Sequence, residues 1–294
     1  ANNDYDDWLP SLNLAWDVSD DVVLRFGAAK VMARPQLAAL SPGGGITTSG
    51  NPSITVGNPY LDPFRATTYD LSAEWYFADE SLLSVALFYK DIDTYIQELR
   101  QSMSYRDTGL PLELVPEAFW DVSFDVRTQV NTPGGPLQGY ELNYQHALRF
   151  LPGIWSNFGV LLNYTHVESE IDYAISPTSN TYVTANLVNL SPDAYNATLY
   201  YEDDKFSARV SGSYRDDYLQ RVPGQNSNDV EGKRDTFNVD MSMTYNFSDN
   251  LALTLEGINL SDEFNDQFVD SVGDRASVYH HTGRQFYLGF RYQF

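Results

Sequence analysis

Histidine is the side chain most often recruited for proton transfer or metal ligation near neutral pH. This chain has four: His146, His166, His280 and His281. His146 continues the apolar alternation of Tyr140, Leu142 and Tyr144, and His166 follows Tyr164 in the same way. Both spacings suit fillers on a strand face better than ligands. His280 and His281 are adjacent, and neighbours on an extended strand point to opposite faces, so they cannot close on one metal from one side. An extracellular ligand contact is the functional reading left to them. No serine or aspartate stands where it would be forced to pair with a histidine in a hydrolytic triad. There is no cysteine, which removes disulfides, thiolate zinc sites and cysteine nucleophiles. The acidic pairs Asp6-Asp7, Asp20-Asp21, Asp203-Asp204 and Asp216-Asp217, with Asp91-x-Asp93, offer oxygen donors for calcium. None has the spacing of an EF-hand loop, so solvated surface is the better reading. Gly43-Gly44-Gly45 precedes no helix and reads as flexible loop rather than a phosphate cradle. Pro133-Gly134-Gly135-Pro136 reads as turn punctuation at a loop-to-strand boundary. The chain is expected to be neither an enzyme nor the holder of a resident metal or cofactor.

What remains is recognition, and the elements that would position it are strands. Apolar and polar residues alternate with a period of two, the mark of a strand with one face of each kind. Clear cases are Phe237/Val239/Met241/Met243/Tyr245/Phe247 and Phe286/Leu288/Phe290/Tyr292/Phe294. Nine further runs start at Leu12, Val22, Tyr69, Leu83, Tyr140, Phe158, Ala197, Phe206 and Leu251, which makes eleven strands and no convincing helix. Five connections are short: Val18–Asp21, Ala78–Ser81, Arg149–Ile154, Glu202–Lys205 and Phe247–Asn250. Between them lie long ones at about 34–64, 101–128, 171–185, 219–235 and 264–280. Strict alternation of short and long places all tight turns at one end of an up-and-down sheet and all long loops at the other. Outer-membrane barrels have that asymmetry.

Composition agrees. Lys plus Arg total 18 against 40 Asp plus Glu, a formal net charge of −22, which argues against nucleic acid as a partner. The 5 Trp, 21 Tyr and 16 Phe are numerous enough to form interfacial belts. Rings gather beside the short turns at Trp16, Trp75, Tyr76, Phe77, Phe150, Trp155, Phe158, Tyr200, Tyr201, Phe206, Tyr245, Phe247, Tyr292 and Phe294. The polar faces carry Arg25, Asp70, Glu74, Lys90, Glu141, Arg209, Asp240, Glu256 and Arg291, as a wet lumen would allow. A soluble sandwich would turn its apolar faces inward instead. The fold class is all-β: a transmembrane antiparallel up-and-down barrel. The long loops would carry the ligand contacts, for which Tyr105, Arg106, Trp120, Tyr173, Tyr218, Arg221, Tyr279 and His280 are the candidates. Rings with Asn, Gln and Arg suit a sugar, whose C–H face stacks and whose hydroxyls are bound; the same residues also suit an iron chelate or loop-to-loop packing.

Several blocks carry a resemblance. Arg34-Pro35, Gly57–Pro63 (GNPYLDP), Tyr69–Phe77 (YDLSAEWYF) and Gly139–Tyr144 resemble the C-terminal half of a TonB-dependent outer-membrane receptor. So do Gly257–Glu263 (GINLSDE) and the ending Gly283–Phe294. The resemblance covers essentially the whole chain. It implies a 22-stranded barrel closed by an N-terminal plug domain, set in outer-membrane lipid and lipopolysaccharide, and energised by TonB–ExbB–ExbD. It also implies that Phe286, Phe290, Tyr292 and Phe294 form the barrel-assembly signal. Eleven strands are half the family's number, and no plug or TonB box is present. Residues 1–294 are therefore expected to be the C-terminal half of a longer importer. The expected orientation has long loops outside, with short turns and C-terminus in the periplasm. The expected cargo is a carbohydrate or oligosaccharide, with a ferric siderophore or cobalamin as the alternative; a passive porin or an adhesive envelope barrel is the reading from another class.

Overall fold

The alternating runs become strands at Ser11–Ser19 (β1), Val22–Ala33 (β2), Phe64–Ala78 (β3), Ser81–Ser104 (β4), Ser123–Ala147 (β5) and Phe158–Ser169 (β6). They continue as Asp193–Glu202 (β7), Phe206–Arg215 (β8), Thr236–Ser248 (β9), Leu251–Ile258 (β10) and Gln285–Tyr292 (β11). The computed structural model, which describes residues 3–41, 44–175, 181–225 and 228–294, pairs these eleven antiparallel in chain order. Both the expected strand set and its order are found. Among the described residues β1 pairs only with β2 and β11 only with β10, so the sheet is open at both edges.

The two faces differ as the alternation requires. Leu83, Val85, Leu87 and Tyr89 of β4 share one face and are 37–51% exposed, with no packed protein interior against them. The same face carries Leu12, Leu14, Trp16, Leu71, Leu142, Leu162, Leu199, Val210, Leu288 and Phe290, all exposed. So extended an apolar surface is far beyond what water tolerates, and lipid is the solvent that suits it. Aromatic pairs border this face beside the tight turns, as in Phe77–Tyr144 at 5.9 Å, Trp155–Phe158 at 5.5 Å and Tyr245–Phe247 at 4.8 Å. A second row lies toward the other strand ends: Tyr69–Tyr89, Tyr140–Tyr164 and Tyr195–Tyr214. Alternation from their neighbours puts Tyr76 and Tyr200 on the polar face instead. Tyr76 donates to Glu74, and the Tyr200 ring lies where a Cβ on Gly159 would stand.

His146 and His166 do fill the apolar face. His146 shares a hydrogen bond with the Tyr144 hydroxyl (2.6 Å) and meets Phe77 edge-on, while His166 is held by Asp193 at 2.8 Å.

The main departure concerns β4 and β5, which stay paired from Leu82↔Gln145 to Ser104↔Ser123. The expected loop 101–128 therefore shrinks to the segment 105–122. Pro133–Pro136 is not a turn but lies within β5, where a Cβ on Gly134 would come 1.9 Å from the Ile92 carbonyl oxygen and one on Gly135 1.8 Å from that of Glu170. Glycine is needed there because neighbouring backbone runs too close for a side chain. A spanning strand needs about 9–11 residues, so the 24-residue β4 and 25-residue β5 stand far beyond the apolar band. Gly44 and Gly45 likewise belong to a short strand, Gly44–Thr47, and Gly43 lies outside the described residues.

Candidate functional site

The long connections fold onto one another at the end where β4 and β5 project. Gly44–Thr47 pairs with Ser53–Val56, which in turn pairs parallel with β5 at Asp125–Thr128. Ile171–Ala174 and Tyr182–Ala185 form a hairpin. The last two connections jointly build a four-stranded sheet ordered Tyr218–Arg221, Glu231–Lys233, Gln267–Val269, Arg275–Val278. Two apolar clusters fix these pieces. One holds Ile54, Tyr105, Val115 and Phe124, and the other Ile171, Tyr173, Val222, Val230 and Phe268. Burying each such large side chain contributes roughly 1.5–3 kcal/mol.

Between the pieces lies a cavity of about 1220 Å³, walled by four of the five connections and the upper part of the β4/β5 hairpin; the segment 105–122 does not line it. Arg100, Arg127 and Arg234 line it, along with Asp125, Asp217, Asp229 and Asp274, polar residues that include Gln101, Thr184 and Asn228, and Phe268. Arg100 and Arg127 are direct partners across β4 and β5. Like charges in that relation repel. Asp125 offsets the repulsion, with one carboxylate oxygen 3.5 Å from Arg100 Nη1 and 2.9 Å from Arg127 Nη2. Arg100 is further held by Glu98 at 2.7 Å. Asp229 accepts from the Ser271 hydroxyl, which holds its carboxyl below the usual range, while partial desolvation and the neighbouring Asp216 push Asp217, still exposed, up.

None of the eight expected ligand contacts lines this cavity. Tyr105 is wholly buried, its hydroxyl donating to the Pro111 carbonyl at 2.9 Å. Tyr173 is 1% exposed, its hydroxyl donating to Asn186 and accepting from Val188, and burial pushes its phenol up. These two are corrected from contacts to packing, because the clusters need their rings more than the surface does. Trp120 is half-buried and donates to the Leu112 carbonyl, with Arg106 stacked over it at 5.5 Å and paired to Asp121. The Tyr218 ring lies under Arg215 at 3.9 Å. Arg221 pairs with Glu231 at 2.7 Å and borders a crevice beside Arg100 and Tyr173. Tyr279 and His280 are exposed on the last connection. His280 is not in a strand; His281 binds Asp262 at 3.0 Å and stacks on Phe264 at 4.1 Å. Among the described residues no group of three His, Asp or Glu could hold a metal ion. The arginine pair escaped the sequence reading because Arg127 fell in the expected loop. The signal was present: Phe124, Val126, Thr128 and Val130 alternate with Asp125, Arg127 and Gln129, a strand carrying a charge inward.

The family description TonB dependent receptor-like, beta-barrel, matches residues 1–260. No curated protein matches the sequence. Among solved structures, the ferric enterobactin receptor PfeA of Pseudomonas aeruginosa is similar at 17% identity and a TM-score of 0.62, over 98% of this chain and 40% of that one. The siderophore receptor PirA of Acinetobacter baumannii is similar at 17% and 0.62, over 98% and 41%. PirA of Pseudomonas aeruginosa gives 17% and 0.61, over 97% and 42%. The chain thus spans about 40% of the length of the receptors it matches, and at such identity the likeness is one of fold.

Proposed function

The chain belongs to the TonB-dependent receptor β-barrel family, an outer-membrane family, and from that premise we propose that it forms half the barrel wall of an active importer of an anionic ferric chelate. The observation that carries the cargo class is the facing pair Arg100 and Arg127, two guanidinium forks held toward one cavity at a cost in strand pairing. Guanidinium forks match the paired oxygens of carboxylate-type ligands. The carbohydrate expectation gives way for a physical reason: of the five candidate rings, Tyr105 and Tyr173 are inside the loops, Trp120 is committed to Leu112 and Tyr218 lies under Arg215, which leaves Tyr279 alone exposed for stacking. The receptors of similar fold are described as ferric enterobactin and siderophore receptors, which supports the same choice.

In this reading the complete barrel has 22 strands, with the open edges of β1 and β11 paired by the remaining ones. A plug domain closes the lumen and TonB–ExbB–ExbD supplies the energy. The long connections face outward, the tight turns face the periplasm, and the ring-bearing end Phe286, Phe290, Tyr292 and Phe294 addresses barrel assembly. The test is a titration of the intact receptor in outer-membrane vesicles with a ferric tricatecholate and, separately, with maltooligosaccharides. Chelate binding is expected, weakened roughly ten- to hundredfold in Arg100→Ala and in Arg127→Ala, as loss of a charged hydrogen bond implies. Binding of the neutral sugar alone, or chelate affinity unchanged in both variants, overturns the cargo assignment.

A further inference from the structure

The polar face of β5–β9 contains a row that strand propensity does not account for. Register places Asn143 opposite Asn163, Asn163 opposite Asn196, Asn196 opposite Ser213 and Ser213 opposite Asn238. Asparagine is among the residues least suited to strands, yet four stand side by side with one serine. The amides of Asn163, Asn196 and Asn238 have no hydrogen-bond partner among the described residues, so their donors and acceptors are free for whatever occupies the lumen. The next row toward the tight turns continues in kind, with the Thr198 and Ser211 hydroxyls bonded at 2.8 Å. Charges lie only at its borders, at Glu141 and Arg215 on one side and Arg209 and Asp240 on the other.

The wall of β1–β5 is different. There a cavity of about 580 Å³ is lined by Arg25, Asp70, Lys90 and Glu141, with the small residues Ser72 and Ala86 between them. Arg25 is forked onto Glu74, at 2.9 and 3.4 Å, but Asp70, Lys90 and Glu141 have no side-chain partner among the described residues. Unpaired charges of both signs in a confined lumen call for a complementary protein surface. A solute path needs the reverse, groups that bind weakly and let go.

We propose that the amide–hydroxyl patch of β5–β9 borders the hydrated route by which a polar solute crosses the lumen, and that the plug seats against the charged wall of β1–β5. This rests on the plugged-barrel reading above. The chain's lack of cysteine gives a clean test. Single cysteines are placed at Asn163, Asn196 and Ser213, and at Ser72 and Ala86, in the intact receptor. Each is treated in outer-membrane vesicles with a small, polar, membrane-impermeant maleimide, with heat-modifiable mobility as the folding control. The first three should label at least about tenfold faster than Ser72→Cys and Ala86→Cys, since a thiol reacts only where it meets water. Protection of the asparagine-row cysteines, whether or not the charged wall labels, overturns the inference and leaves the plugged importer standing. Rapid and equal labelling of both walls instead removes the plug, and the inference falls with it.

Discussion

Gln97 shows how much one side chain decides at the loop end. It is 4% exposed in the middle of β4. Its amide nitrogen donates to the Ala174 carbonyl at 2.9 Å and the Val222 carbonyl at 3.0 Å, and its oxygen accepts from the Ala174 N–H at 2.8 Å. The side chain thus imitates a strand neighbour for Ala174 and joins three segments that are far apart in sequence. Gln97→Leu keeps the bulk but leaves buried backbone groups unsatisfied, at a cost of roughly 2–4 kcal/mol. Hydrogen exchange at 171–174 should rise by about tenfold or more, while the centres of β6–β8 stay as protected as before; unchanged exchange at 171–174 would show that the clusters alone hold the loops. Nothing in the sequence marks Gln97, because its role exists only once Ala174 and Val222 have arrived. Tyr105 and Tyr173 turn inward for a related reason: residue type puts them on the long connections, but whether a ring faces a cavity or a core is settled by its neighbours.

Strands were legible because alternation is a local property, and their order followed from antiparallel hairpins. The block Gly257–Glu263 also has a local explanation. Asn259 adopts φ +54°, accepts from the Glu263 N–H at 2.7 Å and donates to the Glu263 and Gly283 carbonyls, tying together both ends of the last connection. The reading failed at β5, where two prolines and two glycines imitate a turn. Their meaning depends on how close Ile92 and Glu170 approach, which the local sequence does not contain. Gly135→Val should therefore break the pairing of β5 with its neighbours. Folded receptor, measured by heat-modifiable mobility, is expected to fall severely, whereas Gly45→Val, with nothing within 4 Å of an added Cβ, should fold normally. Equal yields from the two variants would mean that the close approach at Glu170 relaxes freely.

At the scale of the molecule, the sequence displays its two solvents directly, one on each face of every strand. Val85→Arg puts a cation on the lipid face and should lower barrel stability in vesicles by about 2–4 kcal/mol near the midplane. Ser84→Arg, one residue away on the polar face, should cost far less. Guanidinium unfolding of both variants checks the assignment, and a larger loss at Ser84 would reverse the faces. The loop cavity was not legible at this scale, since it is assembled from four connections and one projecting hairpin that no periodicity links.

The two aromatic rows have a consequence beyond anchoring. On β3 the rows are represented by Tyr69 and Trp75, on β7 by Tyr195 and Tyr201, and on β8 by Tyr214 and Phe206. Six to eight residues at about 3.3 Å each make roughly 20–26 Å of strand, and tilt shortens the vertical distance further. The molecule therefore carries a gauge of bilayer thickness, set for a thin membrane. Reconstituted into vesicles of increasing acyl-chain length, it should be most stable in the shorter lipids and lose stability steadily as the hydrocarbon outgrows the rings, by fractions of a kcal/mol per ångström of mismatch. A flat response across chain lengths would mean that the rings do not set the depth at which the wall sits.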